Sequence, residues 1–222
     1  MKTLYKIGLW IYTLCIPIYL LMTVIRIFIS PAYATFEYQR PYFPADSYGF
    51  SQEERLKWAI YGIDYLTNDQ GIEYLGDLTF SNGDALFIES ELSHMKDVKD
   101  VVQGMLVAWN VITLYLLLFI AGSAVIKQRK VLFTASSAGG WLTVILVSTV
   151  LLFLAVDFDA LFTAFHGIFF KGDTWLFAYS DTLIRLYPIV FWRDVFIYIM
   201  ASNLILGALL GVLGRKLAQK VN

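Results

Sequence analysis

Four long apolar stretches constrain this chain more than any other feature. They run over about residues 7–29, 101–126, 135–156 and 195–213, and Arg26 is the one charged residue within them. A helix needs about 20 mainly apolar residues to cross a bilayer's hydrocarbon core, and irregular backbone cannot face lipid. The sequence therefore predicts an all-α membrane protein with four transmembrane helices, a single membrane domain over residues 1–222.

The first stretch also has features of a secretory signal, because basic residues precede it and Ala32-Tyr33-Ala34 follows it. It is about 23 residues long, whereas the apolar part of a signal peptide has about 7 to 15. We therefore expect an uncleaved membrane helix. The one cysteine, Cys15, excludes an intrachain disulfide.

The charges are strongly segregated along the chain. The N-terminus, the loop between the second and third stretches and the C-terminus carry basic residues and no acidic ones: Lys2, Lys6, Lys127, Arg129, Lys130, Arg215, Lys216 and Lys220. Basic loops stay on the cytoplasmic side of a membrane. The pattern predicts cytoplasmic termini, with residues 30–100 and 157–194 forming an extracellular cap.

The first outer segment contains several structural signals. Residues 30–50 are rich in proline and aromatics and indicate irregular chain at the interface. Ser51 and Glu54 form a capping box that predicts an amphipathic helix to about Leu66. The glycine-broken stretch 71–87 predicts a short hairpin, and a helix is expected from about Ser90 into the second membrane span.

The second outer segment is dense in aromatic residues. Eleven Phe, Tyr and Trp side chains lie between residues 157 and 194, more than an ordinary interfacial belt requires. Asp181 is expected to cap a short helix from Thr182 to Leu186. We expect this segment to form a re-entrant or interfacial part of the cap.

The chain contains two histidines, His94 and His166, one in each outer segment and each next to a membrane span. Helical spacing places Glu91 and Asp97 on the same face as His94, where either carboxylate can orient the ring. Ordinary interfacial histidines are the simplest alternative. Arg185, within an apolar aromatic run, is a candidate for binding a polar head group or carboxylate.

Other catalytic signatures are absent from the sequence. It has no nucleophile elbow, zinc-protease, dithiol or phosphate-loop motif. Glu91 and His94 have the spacing of one metal-ligand pair, but the chain has no second copy. We therefore expect no metal site.

Two regions resemble the signature regions of the lipoprotein intramolecular transacylase (Lit) family, bacterial membrane proteins found mainly in Gram-positive organisms. They are ELSHMKDVKDV at residues 91–101 and FHGIFFKGDTWLF with DTLIRLYP at residues 165–188. The length, the four spans and the order of the regions also agree. The resemblance implies catalytic roles for His94 and His166.

The resemblance also implies a reaction. The family moves the sn-2 acyl chain of a diacylglyceryl lipoprotein onto the α-amino group of its N-terminal cysteine and gives the lyso form. Because the substrate carries both donor and acceptor, two histidines and no cofactor suffice for direct transfer. We expect His94 to act as base and His166 to polarise the oxyanion or protonate the leaving oxygen, although the reverse order fits the sequence equally.

Supporting roles follow for the neighbouring residues. Phe165, Phe169, Phe170, Trp175 and nearby tyrosines are expected to form a dry acyl-chain pocket, with Asp181 or Arg185 binding polar parts of the substrate. Three alternatives stay open: a metal or haem protein using both histidines, an acyltransferase with a separate phospholipid donor, and a non-enzymatic receptor or assembly factor with a lipid-binding aromatic cap.

Overall fold

The computed structural model describes residues 2–221, which are almost entirely helical. The helices are α1 (Lys2–Phe28), α2 (Pro31–Tyr38), α3 (Gln52–Thr67), α4 (Glu73–Gly76), α5 (Glu89–Val125), α6 (Arg129–Val156), α7 (Phe158–Phe169), α8 (Thr182–Leu186) and α9 (Ile189–Lys220). Four of them, α1, α5, α6 and α9, are long and apolar enough to cross a membrane. The predicted all-α class with four transmembrane helices is therefore confirmed.

Helix α5 is longer than a membrane crossing requires. Its 37 residues extend about 55 Å at 1.5 Å per residue, against roughly 30 Å of hydrocarbon. Its first twelve residues carry six charges that are costly to place in lipid: Glu89, Glu91, Lys96, Asp97, Lys99 and Asp100. That part of α5, which includes His94, therefore lies outside the hydrocarbon.

The chain divides into two compact units. One contains the residues up to Arg26, Leu106–Val156 and the residues from Ile197 onward. Its core includes Tyr12 and Ile16 of α1 packed with Leu116 and Leu132. The Tyr12 hydroxyl lies 2.9 Å from the Ser136 hydroxyl, so the hydrogen bond joins α1 to α6 within the apolar interior.

Helices α6 and α9 approach closely because glycines face each other. A Cβ added to Gly140 would lie 2.5 Å from the Gly211 nitrogen and 2.6 Å from the Gly207 carbonyl oxygen. The Ser137 hydroxyl donates to the Gly211 carbonyl at 2.7 Å. Small residues and interhelical hydrogen bonds are how membrane helices associate when lipid removes the hydrophobic driving force.

The second unit contains Ile27–Met105 and Asp157–Phe196. Buried hydroxyls connect its two sequence segments by donating to backbone carbonyls: Tyr38 to Leu186 at 2.6 Å, Thr182 to Leu86 at 2.6 Å and Tyr187 to Ala59 at 2.6 Å. The two outer segments predicted from the sequence thus fold together as one unit.

The structure corrects the expectation of irregular chain at residues 31–38. They form α2 rather than irregular chain. Ser30 is the N-cap, its hydroxyl accepts from the Tyr33 N–H at 3.3 Å, and Pro31 opens the helix. Proline at the first helical position has the required φ and sacrifices no helical hydrogen bond, so Pro31 starts a helix here rather than preventing one.

The other predictions for the first outer segment agree with the structure. Helix α3 begins with the Ser51–Glu54 capping box, in which each residue's side chain accepts from the other's backbone N–H. The expected hairpin is present in reduced form, as one antiparallel bridge between Thr79 and Ala85. Gly83 in its turn has φ +91°, a conformation that favours glycine.

Candidate active site

His94 lies in the second turn of α5 with its imidazole buried. Its Nδ1 is inaccessible and has no hydrogen-bond partner among residues 2–221. The edges of Phe170 and Phe177 pack against the ring at centroid distances of 4.9 and 5.4 Å. Burial and the nearby His166, opposed by the charge of Asp97, lower the pKa of His94 to about 4. The ring is therefore neutral at physiological pH.

His166 lies in α7, an apolar helix whose N-cap is Asp157. Its imidazole is also buried. Its Nδ1 lies 2.8 Å from the Phe162 carbonyl one turn earlier. Burial lowers the pKa of His166 below its usual value, although the hydrogen bond to Phe162 opposes the shift. This ring is also neutral at physiological pH.

The two imidazoles face each other. Their centroids are 6.3 Å apart and their planes are inclined by 23°. No hydrogen bond joins the rings, and neither Nε2 has a protein partner within residues 2–221. The centroid separation is larger than the roughly 3.5–4 Å contact distance of two carbon atoms, so the two rings are not in direct face-to-face contact.

Aromatic side chains enclose the histidine pair. Phe170 contacts both rings, at 4.9 Å from His94 and 5.6 Å from His166. Phe162 and Trp175 pack on His166 at 4.2 and 4.5 Å, and Phe165 meets it edge-on at 5.5 Å. Such surroundings exclude water and disfavour charged imidazole, which explains both depressed pKa values.

Known proteins of one family resemble this chain along most of its length. The model of the family described as lipoprotein intramolecular transacylase Lit matches residues 10–192. The chain belongs to this family. It is also 33% identical over 198 residues to an uncharacterized protein of Aquifex aeolicus (strain VF5), covering 86% of this chain and 87% of that relative.

Solved structures with the same fold belong to a transacylase of this name. The membrane integral lipoprotein intramolecular transacylase Lit from Bacillus cereus superimposes with a TM-score of 0.71 over 99% of this chain and 98% of that chain, at 16% identity. A variant of it with one histidine changed to arginine gives 0.69 over 99% and 94%, also at 16% identity. The resemblance inferred from regions 91–101 and 165–188 is confirmed.

In this Lit family member, Glu91 has a different partner from the one expected. Its Oε1 accepts from the Leu183 N–H at 2.6 Å and its Oε2 from the Ile88 N–H at 2.9 Å. Both oxygens are therefore occupied by backbone N–H groups, and the carboxylate does not bond the His94 ring. Burial raises the pKa of Glu91, while these two hydrogen bonds oppose the shift. Glu91 holds α8 against α5.

The Arg185 side chain is already paired within the protein, although it was expected to bind a polar head group or carboxylate. Its Nε and Nη2 donate to the two oxygens of Asp46 at 3.2 and 3.0 Å, and both side chains are largely buried. Its guanidinium lies 3.8 Å from the Phe50 ring centroid. Asp181 is the N-cap of α8, as expected, but its carboxylate accepts from the Ala178 N–H at 2.8 Å instead of capping.

The remaining predicted residues differ in their distance from the histidines. Trp175 and Phe165 belong to the enclosure. Phe169 is half exposed and contacts Phe165 and Phe170 rather than a histidine. Asp97 is exposed and acts on His94 through its charge.

Two enclosing residues, Phe162 and Phe177, were not predicted as part of the site, whereas Phe170 was expected in the acyl-chain pocket. The four-residue spacing of Phe162 and His166 was the signal that could have found the first of them.

Proposed function

We propose that this chain catalyses intramolecular acyl transfer on diacylglyceryl lipoproteins. The sn-2 acyl group moves from glycerol to the α-amino group of the N-terminal cysteine, which gives the lyso form. Family membership and four apolar helices support a membrane enzyme of this kind. The observation that carries the proposal is the pair of neutral imidazoles inside an aromatic enclosure, each with an Nε2 that has no protein partner in the described part of the chain.

The hydrogen bonds support different tautomers for the two rings. A carbonyl can only accept, so the Nδ1 of His166 carries the proton donated to Phe162 and its Nε2 is a free base. The buried Nδ1 of His94 has no acceptor, and an orphaned N–H costs more than an orphaned lone pair. The His94 proton is therefore assigned to Nε2. One ring presents an acceptor and the other a donor.

This assignment gives each histidine a step, in the reverse of the order favoured from the sequence. His166 Nε2 takes a proton from the amine as the nitrogen bonds to the ester carbonyl carbon. His94 Nε2–H donates to the oxyanion of the tetrahedral intermediate. The carbon–oxygen bond to glycerol then breaks, and the His166 imidazolium returns its proton to the leaving oxygen. The products are an amide and a free glycerol hydroxyl.

The chemistry requires no cofactor. Conversion of an ester to an amide is downhill, and ester and amine belong to one molecule. Holding the ester and the amine in an attack geometry lowers the activation barrier by several kcal/mol. This is roughly the effect measured for well-oriented intramolecular reactions. The aromatic enclosure of Phe162, Phe170 and Trp175 excludes the water that would hydrolyse the ester instead.

The proposed orientation has cytoplasmic termini and the histidine pair on the extracellular side. The basic loops at residues 127–130 and 214–220 support it, because such loops remain cytoplasmic. An extracellular site also suits a substrate whose protein part lies outside the cell membrane.

The test uses the purified protein in detergent with a synthetic diacylglyceryl lipopeptide. Because intramolecular transfer conserves mass, fragmentation must locate the acyl chain on nitrogen or on glycerol. We expect N-acyl product from the wild type and at least about 100-fold slower conversion in His94→Ala and His166→Ala. Tyr179→Ala, an exposed aromatic of the same outer segment, serves as control and retains activity.

Two other outcomes would contradict the proposal. A heavier product that forms only with added phospholipid would show intermolecular transfer from a separate donor. Absence of product from a folded wild-type protein would instead favour a receptor or assembly factor that binds lipid through its aromatic side chains. Metal content and absorbance of the active preparation test the metal and haem alternatives.

A further inference from the structure

A second concave site lies within the same compact unit as the histidine pair. It is a cavity of about 660 Å³ bounded by the first turns of α3, the 48–50 loop, the hairpin turn and Arg185. Four aromatic side chains contribute to its wall: Tyr48, Phe50, Trp58 and Phe80. Phe50 and Phe80 stack at 5.7 Å, and the Arg185 guanidinium covers Phe50. Ligand sites commonly have about this volume and this mixture of aromatic and polar groups.

The hairpin presents an unused backbone edge at this cavity. Hydrogen bonds from the Phe80 N–H to Asp84 and from the Leu86 N–H to Leu78 flank the Thr79–Ala85 bridge. In such a pair the N–H and C=O of each bridged residue point outward. Thr79 is exposed, lines the cavity and has no backbone hydrogen-bond partner among the described residues. An extended peptide adds readily to such an edge.

The cavity wall is connected to the histidine site through α8. Arg185 lies two residues after Leu183, whose N–H is held by Glu91. Glu91 precedes His94 by less than one helical turn. These short steps place the Arg185 end of the cavity within roughly five extended residues of the histidine pair, at about 3.3 Å per residue.

We propose that this cavity binds the polypeptide of the substrate, the extended segment that follows the lipidated cysteine. The inference rests on the proposed function, because it places the cysteine at His94 and His166. The backbone of the segment pairs with Thr79, and its side chains rest against Trp58 and Phe80. The site thereby holds the protein part of the substrate while the acyl transfer occurs.

The charges around the cavity favour a peptide over an anionic ligand. Its lining contains Glu54 and Asp84 as well as Lys57 and Arg185, and Arg185 is already paired with Asp46. Lys57 lies over the Trp58 ring at 4.1 Å. With no excess of positive charge, the site suits an uncharged chain recognised through its backbone. Recognition of that kind tolerates many sequences, as an enzyme acting on different lipoproteins requires.

The test compares two lipopeptides with the same diacylglyceryl cysteine, followed by either two or ten small uncharged residues. Dissociation constants are measured by fluorescence anisotropy and kcat/KM by mass spectrometry. The wild type is expected to bind the longer lipopeptide about tenfold more tightly and to prefer it by the same factor in kcat/KM.

Two variants remove different parts of the site. Thr79→Pro deletes the outward N–H, and Thr79→Ala is its control because it keeps that N–H. Trp58→Ala removes an aromatic wall, with Tyr179→Ala as an exposed aromatic control. We expect the preference for the longer lipopeptide to fall about tenfold in Thr79→Pro and Trp58→Ala and to persist in both controls. Thermal unfolding identifies a misfolded Thr79→Pro, in which case Trp58→Ala decides.

Equal affinity of the wild type for both lipopeptides would overturn this proposal, as would an unchanged preference in the folded variants. Conversion of the two-residue lipopeptide tests the acyl transfer separately. If neither lipopeptide is converted, the proposed reaction fails, while the difference between the two dissociation constants still decides whether the cavity binds peptide.

Discussion

Two buried polar clusters in the same compact unit differ in how completely their hydrogen bonds are satisfied. At the anchor of α8, Glu91 accepts from two backbone N–H groups and Arg185 is bidentate with Asp46. At the histidine pair, Nδ1 of His94 and both Nε2 atoms have no protein partner within residues 2–221. The anchor has almost no capacity left for a ligand, whereas the pair retains several donor and acceptor positions.

The difference separates structural from reactive polar groups. Buried polar groups are normally satisfied, because leaving one unpaired costs about 1–3 kcal/mol. The chain incurs that cost at Nδ1 of His94 and avoids it at Glu91, Arg185 and Asp46. We therefore expect substitutions at the anchor to reduce stability and substitutions at the pair to reduce activity.

The largest expected effect is on the rate after substitution of both histidines. His94→Ala and His166→Ala should each lower kcat/KM by about 10²–10⁴-fold. Because one ring provides the base and the other the donor for a single transition state, the double variant should be little slower than either single variant. Initial rates with the lipopeptide measure this, and melting temperatures within about 2 °C of wild type would exclude unfolding as the cause.

Losses of kcat/KM that multiply in the double variant would contradict the shared role of the two histidines. If the double variant loses the product of the two single factors, the rings contribute independently and the assigned division of donor and base is wrong. Phe36→Ala, an exposed aromatic change in α2, serves as a control for nonspecific effects on activity.

The next effect is on stability, through Glu91→Gln. The amide keeps one acceptor but turns an NH2 group toward either the Leu183 or the Ile88 N–H, so a buried donor faces a donor. The expected cost is about 2–3 kcal/mol of unfolding free energy, or a melting temperature lower by roughly 5–10 °C. Glu89→Gln, an exposed residue in the first turn of the same helix, is the matched control. Equal melting temperatures for Glu91→Gln and wild type would show that Glu91 does not hold α8.

The sequence predicts the elements that depend on local patterns. Long apolar runs predict the four membrane helices, and the Ser51–Glu54 spacing predicts the start of α3. The bounds of α8 also follow from Asp181 and Pro188. These features depend on residues within a few positions of one another. Residues 31–38 were misjudged because Pro31 has opposite meanings at the first position and in the interior of a helix.

The site is less predictable because its contacts are distant in sequence. The two histidines stand out by their rarity, but Glu91 bonds Leu183, 92 positions away. No local pattern distinguishes that partner from His94, which lies on the same helical face. The aromatic enclosure of the histidines also depends on the backbone conformation of single residues. Phe169 ends α7, whereas Phe170 has extended backbone and so turns toward both histidines.

The pH dependence of the reaction sharpens the comparison further. Both histidines have pKa values below the usual 6.5, that of His94 at about 4, so both rings are mainly neutral above pH 6.5. The free α-amine has a pKa of about 7.7–8.0. We expect kcat/KM to rise about tenfold per pH unit from pH 6.5 and to level off near the pKa of the amine. The amine pKa is determined by NMR titration of the same lipopeptide. A bend in the pH–rate profile near pH 6.5, away from that amine pKa, would show that a histidine titrates instead.

A third buried cluster lies between these two extremes. Glu37 in α2 is fully buried, and neither carboxyl oxygen has a donor partner in the described part of the chain. Asp194 adjoins it, and is itself bonded by the Tyr42 hydroxyl at 3.1 Å and by Arg193 at 3.1 Å. Burial and the neighbouring Asp194 raise the pKa of Glu37 to about 7, although Arg40 and Arg193 oppose the shift. Glu37 can bond Asp194 only by carrying a proton itself.

The smallest predicted effect follows from that proton. In the unfolded chain the Glu37 pKa is about 4.3, so between about pH 4.3 and 7 the folded state binds more protons than the unfolded state and stability falls as pH rises. Glu37→Gln provides a permanent donor to Asp194. Its melting temperature relative to wild type should therefore increase from pH 5 to pH 8, by about 5 °C. Glu53→Gln, an exposed carboxyl in α3, should show no such trend. A pH-independent difference for Glu37→Gln would mean that Glu37 is ionised when folded and that the cluster is satisfied like the α8 anchor.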